Sequence, residues 1–343
     1  MMRLVVDDKI PYIRPALARL TSDVAYIDGS NITAADVRRA DALLVRTRTV
    51  CDEALLGGSS VSFIATATIG YDHLDTGYLQ RAGIAWTNCP GCNAGSVAQY
   101  VRSTLILLLR DGIVRPTATI GIVGCGHVGS RVVEVARSLG LHVMVCDPPL
   151  AAAGSSAVDC SSTMERLARE CDIITLHVPL TREGPYATYH LVDAAFLGSL
   201  RPGTVIINTS RGAVVDSEAL LAALDCGRVG ATVIDTWENE PHISRALLRR
   251  AYIGTPHIAG YSADGKVNAD NMVLAALCRH FNIGSVPRVT APPLQLSAPL
   301  PPYGTDDYYL SLYNPMDDSL RLKNDPAAFE RLRGSYPLRR ERA

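Results

Sequence analysis

Five short apolar segments, separated by helix-like stretches, leave few folds open to the middle of this chain. They span residues 119–124, 142–147, 173–179, 204–210 and 232–237. Such an alternation is typical of a doubly wound parallel sheet, because helices bury its strands on both faces. The first part of the chain alternates in the same way, with strands predicted at 3–7, 42–46, 63–67 and 84–87. We therefore predict an α/β protein with two doubly wound, Rossmann-like parallel-sheet domains.

The domain boundaries are predicted from the segments that flank these alternations. Residues 94–110 form a strongly apolar helix that we expect to be a buried connector, and a second long helix, 263–281, is expected to return to the first domain. Residues 284–302 then contain six prolines, which indicates an extended linker. We predict a flavodoxin-like first domain of residues 1–92 and 264–284, a second domain of residues 93–263, and a linker with a small C-terminal segment over 285–343.

Composition argues against several classes of function. The formal net charge is −1, so no overall field attracts nucleic acid or an anionic membrane. The longest apolar run, 105–109, is far too short to span a bilayer, and the first residues lack the apolar core of a signal peptide. Nine scattered cysteines, an odd number, favour free thiols in a reducing compartment. We therefore expect a cytoplasmic protein.

Cys89 and Cys92 form a CxxC pair that has two interpretations. A redox or metal-binding pair is one, but no second CxxC completes a zinc site and no thioredoxin-like context follows. The interpretation we favour is a glycine-containing turn that opens the helix at residue 94. No bound metal is expected.

A glycine motif follows the first of the five apolar segments. Gly124, Gly126 and Gly129 form GxGxxG between a predicted strand and a helix predicted over 130–139. The first glycine permits a tight turn, the second lets a pyrophosphate approach the backbone, and the third lets helix and strand pack closely. Asp147 ends the next strand, where a carboxylate binds the adenosine ribose and repels a 2′-phosphate. The combination predicts a site for NAD rather than NADP.

Three polar residues stand after successive strands of the second alternation, at the sheet edge where such folds bind ligands. Arg211 can hold a carboxylate through two parallel hydrogen bonds, Glu240 precedes a proline, and His257 follows a Thr-Pro pair. Oxidation of a hydroxyl by hydride transfer requires a base for the hydroxyl proton, and a histidine beside a carboxylate suits that task. We predict that His257 is the general acid/base, paired with Glu240.

The other seven histidines lack this setting in the sequence. His177 follows a strand on the cofactor side but has no obvious acidic partner. The remaining six have no comparable combination of strand end and acid: His73, His127, His142, His190, His242 and His280.

These segments resemble the D-2-hydroxyacid dehydrogenase family. The shared patterns are RGxxVD at 211–216, an acid before proline in the D-x-W-x-x-E-P run at 235–241, and TPHIAG at 255–260. The resemblance implies NAD-dependent oxidation of a 2-hydroxy acid, in which the arginine binds substrate and the acid pairs with a proton-exchanging histidine. It also implies cofactor contacts at Gly124, Gly126, His127, Val128, Gly129, Asp147, Val178, Thr209, Ser210, Asp235 and Gly260.

Further stretches resemble members of this family that act on a phosphorylated four-carbon 2-hydroxy acid. They lie at 90–94, 146–149, 184–191, 257–266 and 336–341. This likeness implies substrate contacts at Thr47, Thr68 and Tyr261, and a homodimer built through the C-terminal segment. A substrate with two anionic ends needs a cation besides the carboxylate-binding arginine. Arg46 is our candidate, with Arg48 and Lys266 as alternatives.

The tail carries a cluster of basic residues, Arg331, Arg333, Arg339 and Arg340. Because glutamates are interleaved with them, we expect a solvated or dimer-interface surface rather than a nucleic-acid patch. The tail as a whole is expected to pack on the body or on a second subunit.

Two other functions remain open. A family member that acts on phosphoglycerate or hydroxypyruvate would share the catalytic residues, so only the substrate-side residues and the tail argue against it. A protein that binds NAD as a sensor, without catalysis, belongs to a different class. The presence of Arg211, Glu240 and His257 together argues against that function.

Overall fold

The computed structural model describes residues 2–154, 159–294 and 299–341. The chain divides into two compact units, Met1–Asn93 with Ser262–Gln295 and Ala94–Tyr261 with Leu296–Ala343. Each unit contains a parallel sheet flanked by helices, which confirms the predicted fold class. The part of the C-terminal segment in a dimer stays a prediction.

The described elements follow one another along the chain without long gaps. The strands are β1 (Leu4–Asp7), β2 (Val24–Ile27), β3 (Ala42–Val45), β4 (Phe63–Thr66), β5 (Ala85–Thr87), β6 (Thr119–Val123), β7 (His142–Cys146), β8 (Ile173–Leu176), β9 (Thr204–Asn208), β10 (Val229–Ile234) and β11 (Ile253–Gly254). The helices are α1 (Arg14–Leu17), α2 (Ala34–Val37), α3 (Glu53–Leu56), α4 (Thr76–Arg81), α5 (Ala94–Arg110), α6 (His127–Ser138), α7 (Pro148–Ala153), α8 (Met164–Glu170), α9 (Ala194–Ser199), α10 (Ser217–Asp225), α11 (Arg245–Arg250), α12 (Ala263–His280), α13 (Asp306–Leu312), α14 (Pro315–Asn324) and α15 (Phe329–Gly334). None of these helices is long and apolar enough to cross a membrane.

The first unit is built on five parallel strands in the order β2-β1-β3-β4-β5. Side chains alternate between the faces of its sheet, and both faces are buried. Leu4 and Val6 of β1 belong to the cluster that includes Val273 of α12, whereas Val5 belongs to the cluster that includes Leu79 of α4. Burial on both faces explains why the central strands are apolar throughout. The prediction missed β2, a half-buried strand at the sheet edge.

Cys89 and Cys92 lie in the core of this unit. The backbone amide of Cys92 donates to the carbonyl of Cys89, which closes a turn, and α5 begins two residues later at Ala94. Burial raises the pKa of both thiols, that of Cys92 to about 11, so both are protonated at neutral pH. The turn interpretation of this pair is therefore confirmed.

The second unit contains six parallel strands in the order β11-β10-β9-β8-β6-β7. The prediction missed β11, which has only two residues. Since β6 lies between β7 and β8, the loops that leave β6 and β8 run to opposite sides of the sheet. In doubly wound sheets the crevice formed at such a point, at the carboxyl ends of the strands, is where ligands bind.

The described part of the C-terminal segment, residues 299–341, packs on the second unit. Ser103 of α5 donates a hydrogen bond to the carbonyl of Tyr313 at 2.8 Å, and the amide of Gly254 in β11 donates to the hydroxyl of Ser319 at 3.0 Å. Packing on the body, one of the two expected arrangements, is thus what the structure shows.

Arg339 contradicts the expectation that the tail arginines face solvent or an interface. Its side chain is only 9% exposed. The guanidinium donates to Gln99 Oε1 at 3.0 Å, to the carbonyl of Ile258 at 3.0 Å and to that of Ala259 at 2.6 Å. It also lies 4.0 Å from the ring centroid of Tyr313. This residue therefore joins the end of the chain to α5 and to the loop that carries His257.

We expect Arg339→Ala to lower the free energy of unfolding by about 2–5 kcal/mol, because it leaves buried carbonyl groups without donors. Urea unfolding of the full chain measures the change. Arg331→Ala is the matched control, since that side chain is 70% exposed and pairs only with Asp325. Its effect should be about 1 kcal/mol or less. Equal losses in the two variants would show that Arg339 contributes no more than a surface charge.

Candidate active site

The glycine loop joins β6 to α6 and has little steric freedom. Gly124 has a φ of +85°, and a Cβ there would lie 2.7 Å from the carbonyl oxygen of His177. A Cβ on Gly129 would lie 1.9 Å from the carbonyl oxygen of Gly124. Glycine is therefore required at both positions. A Cβ on Gly126 would meet open space, so this side of the loop has room for a ligand to approach.

The helix after this loop begins at His127, so the predicted start at Ser130 is wrong. Gly126 precedes it as the N-cap, in an extended conformation. The first amides of the 12-residue helix, including those of His127 and Val128, therefore lie within the motif itself. Unpaired amides and the positive end of the helix dipole favour a phosphate group at this position.

Asp147 lies directly after β7 and is tied to the glycine loop. Its Oδ2 accepts a hydrogen bond from the amide of Cys125 at 2.7 Å, and its Oδ1 accepts one from the amide of Leu150 at 3.0 Å. The second bond caps α7. The carboxylate that we predicted for the ribose therefore also fixes the position of the loop predicted for the pyrophosphate.

A cavity of about 490 Å³ opens beside these two features. Its walls are mainly apolar, as is common for small-molecule sites of this size. The lining includes Gly124, Gly126, Asp147 and Val178, all predicted from the sequence. Sequence reasoning did not assign the rest of the lining, which includes Pro148, Pro149, Leu150, Met164, Pro179, Thr181, Pro185, Tyr186, Thr188 and Leu191. Several of these residues belong to the 184–191 stretch, whose likeness to other proteins was the available signal.

His177 also lines this cavity, but its chemistry differs from that of His257. Its Nε2 lies 3.0 Å from Thr175 Oγ1, and its Nδ1 lies 3.4 Å from the hydroxyl of Thr209. Burial lowers the pKa of His177 to about 3. The ring is neutral at physiological pH and lacks an acidic partner, so it does not suit the role of general acid/base.

Arg211 is held at the end of β9 by its own loop. Asn208 donates to the carbonyl of Arg211 at 3.0 Å and accepts from the amide and hydroxyl of Ser210 at 3.1 and 2.8 Å. A Cβ on Gly212 would lie 1.9 Å from the carbonyl oxygen of Trp237, so only glycine permits this approach to the loop after β10. The half-buried Arg211 is therefore placed next to the segment that carries Glu240.

His257 stands on a loop organised by a buried carboxylate. Asp235, 1% exposed, accepts hydrogen bonds from Thr255 Oγ1 at 2.6 Å and from the amides of Ile258 and Ala259 at 2.8 and 2.9 Å. His257 itself has a φ of +56°, an uncommon conformation for a residue with a side chain. The bonds on either side of it hold this conformation. Asp235 was predicted to contact the cofactor; both its oxygens serve the loop, and the cofactor contact stays a prediction.

Glu240 and His257 are in direct contact. His257 Nδ1 lies 2.8 Å from Glu240 Oε2, and Glu240 Oε1 accepts a hydrogen bond from the amide of Trp237 at 2.8 Å. Burial acts to raise the pKa of Glu240, but the hydrogen bond and charge of His257, with a smaller effect of Arg333, leave the pKa below its ordinary value. The carboxylate is therefore ionised at neutral pH.

This contact determines which ring nitrogen of His257 is available. An ionised carboxylate has no proton to donate, so Nδ1 carries the hydrogen and donates it to Glu240. Nε2 is then the basic nitrogen, and it makes no hydrogen bond within residues 2–154, 159–294 and 299–341. The arrangement can accept a proton at Nε2 and stabilise the resulting charge through Glu240.

The statement that His190 has no comparable setting is wrong. Its Nε2 lies 2.7 Å from Glu238 Oε1, and its Nδ1 lies 3.9 Å from Asp216 Oδ2. The sequence placed no acid near it because the contact joins two distant loops. Both ring nitrogens of His190 face carboxylates, whereas one nitrogen of His257 does not. This second pair therefore suits a structural role better than proton exchange.

Arg333 is a member of the site that sequence reasoning missed. Its Nη1 lies 3.6 Å from Glu240 Oε2, and the expected solvated or interface position is therefore wrong for this residue as well. It also forms a hydrogen bond with Tyr261, one of the predicted substrate residues. No local pattern connects the tail with Glu240, so only the fold reveals the contact.

The remaining substrate residues lie after β3 and β4 of the first unit. Arg46 Nη1 donates to the carbonyl of Lys9 at 3.2 Å, and its buried Nε has no hydrogen-bond partner among the described residues. Thr47 is exposed. Thr68 Oγ1 lies 2.9 Å from the carbonyl oxygen of Gly70. Their contacts with a substrate stay predictions.

Comparisons with known proteins agree with this site. Residues 112–259 match the family model described as the D-isomer specific 2-hydroxyacid dehydrogenase, NAD binding domain. The chain is 52% identical to the erythronate-4-phosphate dehydrogenase of Bacteroides fragilis, over 99% of this chain and 97% of that protein. It is 41% identical to the enzyme of the same name from Citrobacter koseri, over 99% and 87% of the two chains.

Two solved structures show the same architecture. The NAD+-bound 3-phosphoglycerate dehydrogenase of Entamoeba histolytica is 27% identical, with a TM-score of 0.68 over 84% of this chain and 98% of that one. The D-lactate dehydrogenase of Aquifex aeolicus, complexed with NAD and lactic acid, is 23% identical with a TM-score of 0.66 over 82% and 96%. This second likeness concerns the fold alone.

Fold, site and comparisons together define an NAD-dependent dehydrogenase of the D-2-hydroxyacid class. Within that class, the chain belongs to the erythronate-4-phosphate dehydrogenase family, as its 52% identity over nearly the whole length shows. The resemblance stated from the sequence is confirmed, and so is the choice of NAD as the cofactor.

We expect Asp147→Ala to weaken NAD binding strongly while NADP binding changes little, because only the unphosphorylated ribose can bond to this carboxylate. Fluorescence titration with the reduced cofactors measures both affinities. Asp159→Ala is the control, because that exposed carboxylate bonds only to Ser161 in the described structure. Equal affinities of the wild-type protein for the two cofactors would contradict the role of Asp147.

Proposed function

We propose that this protein oxidises 4-phospho-D-erythronate to 2-oxo-3-hydroxy-4-phosphobutanoate with NAD, a step of pyridoxal 5′-phosphate (vitamin B6) biosynthesis. The observation that carries the proposal is the contact between His257 and Glu240, in a chain 52% identical to relatives named for this substrate. Phosphoglycerate and hydroxypyruvate are less well supported, because the relatives that match nearly the whole chain carry the erythronate phosphate name.

Each residue of the pair has a defined task in this proposal. His257 accepts the C2 hydroxyl proton at Nε2, and Glu240 stabilises the protonated ring. Arg211 binds the carboxylate and polarises the C2 oxygen. Bound NAD supplies the hydride acceptor. The residues proposed to hold it are Gly124, Gly126, His127, Val128, Gly129, Asp147, Val178, Thr209, Ser210, Asp235 and Gly260.

Thr47, Thr68 and Tyr261 are proposed to contact the substrate, and Arg46 to bind its phosphate. The support for Arg46 is its free Nε and the incomplete neutralisation of its charge. Burial raises the pKa of nearby Asp270 to about 7, which the charges of Lys266 and Arg46 act to lower. Asp270 is therefore only partly ionised at neutral pH, and an anion can still gain from Arg46.

The location and assembly of the protein are also proposals. We place it in the cytoplasm, as a homodimer formed through the C-terminal segment. Exposed apolar side chains in that segment support the second point, since Tyr303 is 82% and Leu320 is 53% exposed. Light scattering of the purified full chain, compared with a variant that carries Asp at both positions, tests the assembly.

Turnover of purified protein on a panel of 2-hydroxy acids tests the function. The panel contains 4-phospho-D-erythronate, D-erythronate, D-3-phosphoglycerate and D-lactate, each with NAD, and NADH formation is followed by absorbance. We expect the highest kcat/KM for 4-phospho-D-erythronate. A higher value for another member of the panel, or no NADH from any of them, would contradict the proposal.

We expect His257→Asn to lower kcat by about 10²–10⁴-fold, because the C2 hydroxyl loses its base, while NADH affinity is retained. His242→Asn is the control, since that histidine is exposed and lies on the same loop as Glu240. Near-normal turnover of the His257 variant would remove it from the chemistry.

Glu240→Gln should move the acidic limb of the kcat/KM profile to lower pH. The protonated imidazole loses its anionic partner, so a higher proton concentration is needed to protonate the base. Steady-state oxidation rates across the pH range measure the shift. A limb that stays in place would contradict the pairing.

Arg46→Ala should lower kcat/KM for 4-phospho-D-erythronate strongly, by an amount equivalent to about 2–5 kcal/mol, and change the rate with D-erythronate little. The exposed Arg39→Ala serves as the control. Equal losses on the two substrates would show that Arg46 serves folding rather than phosphate binding.

A further inference from the structure

Arg333 reaches the same carboxylate oxygen as the catalytic histidine. Its Nη1 lies 3.6 Å from Glu240 Oε2, to which His257 Nδ1 is bonded at 2.8 Å. The side chains of Arg333 and Glu240 are only 27% and 17% exposed, so solvent screens their attraction less than it would at the surface. The contact joins the last helix of the C-terminal segment to the loop after β10.

The helix that carries Arg333 is anchored beside this loop. Phe329, at the start of α15, is 1% exposed and belongs to the core cluster that also contains Trp237. The amide of Trp237 in turn donates to Glu240 Oε1. One apolar cluster therefore fixes both the helix and the loop, and the approach of the guanidinium to the carboxylate does not depend on a free side chain finding its partner.

Other charged and titratable groups act on this pair from the surrounding elements. Asp235 lies beneath the His257 loop and interacts electrostatically with the histidine. Tyr261 bonds to Arg333, and Glu330 on the same helix attracts it. The described structure thus gives Glu240 two cationic neighbours when His257 is protonated, and one, Arg333, when it is not.

We infer that Arg333 is a positioning residue for the oxidation, which turns the carboxylate of Glu240 towards His257 and keeps it ionised. The inference rests on the proposed roles of His257 and Glu240. A guanidinium remains charged at every pH at which the protein is folded, so it holds Glu240 in place while the histidine gains and loses its proton. The C-terminal segment then contributes a side chain to the acid/base machinery of its own chain.

The charge of Arg333 has a second consequence. Glu240 favours the protonated form of His257, and a cation beside Glu240 weakens that preference. The histidine is therefore kept available as a base at lower pH than Glu240 alone would allow. Removing the cation should have the opposite sign to removing Glu240, which a purely structural role would not produce.

The test uses full-length Arg333→Gln, Arg333→Lys and, as a control, Arg331→Ala on the same helix. We expect Arg333→Gln to lower kcat about tenfold and to move the acidic limb of kcat/KM to higher pH, while NADH affinity stays within about twofold of wild type. Arg333→Lys keeps the charge, so its acidic limb should return to the wild-type position. The Lys variant also provides the test if Arg333→Gln does not fold. Arg331→Ala should match the wild type.

A double variant decides whether Arg333 acts through Glu240. In the Glu240→Gln background there is no carboxylate to position, so adding Arg333→Gln should lower kcat by less than twofold. A full tenfold loss in that background would overturn the inference. A raised KM for the phosphorylated substrate, with kcat and pH profile unchanged, would also overturn it and make Arg333 a substrate-binding cation.

These outcomes are distinct from a failure of the proposed function. That failure would appear as an inactive wild-type protein or an active His257→Asn variant. The Arg333 variants are informative only when the wild type turns over and His257→Asn does not.

Discussion

The buried carboxylate of Asp235 is the interaction on which the geometry of the site depends. A carboxylate 1% exposed is costly unless its oxygens are bonded, and here the donors are Thr255 Oγ1 and the amides of Ile258 and Ala259. Burial raises the pKa of Asp235, an effect that His257 and these hydrogen bonds oppose. The three donors flank His257 and hold its left-handed backbone. The position of the general base is therefore set by a side chain that need not touch the substrate.

The other loops are built against this one. Gly212 lets the Arg211 loop approach the backbone of Trp237, and the amide of Trp237 holds Glu240. From the other side, Arg339 bonds to the carbonyls of Ile258 and Ala259. The donors and acceptors of one short loop are thus paired both within the sheet domain and with the C-terminal segment. Loss of the segment would leave buried carbonyls unpaired and Glu240 with a single cationic neighbour.

Much of the fold and part of the site could be predicted from the sequence, because their signals are local. The glycine motif, Asp147 and the three loops at strand ends carry their information within a few residues. The elements that were missed have weaker local signals, such as the two-residue β11 and the edge strand β2. Arg333, Arg339 and the His190–Glu238 pair depend on contacts between distant segments. Interleaved charges in the tail predicted a solvated surface, but periodicity does not reveal which of them the fold buries.

Nitrogen-15 magnetic resonance of the imidazole rings tests most directly the claim that Glu240 fixes His257 as a base at Nε2. Spectra of the wild-type protein, with the His257 signals assigned by comparison with His257→Asn, give the protonation state of each ring nitrogen at alkaline pH. The account predicts a protonated Nδ1 and an unprotonated Nε2, with this preference lost in Glu240→Gln. A proton on Nε2, or the same preference without the Glu240 carboxylate, would contradict it.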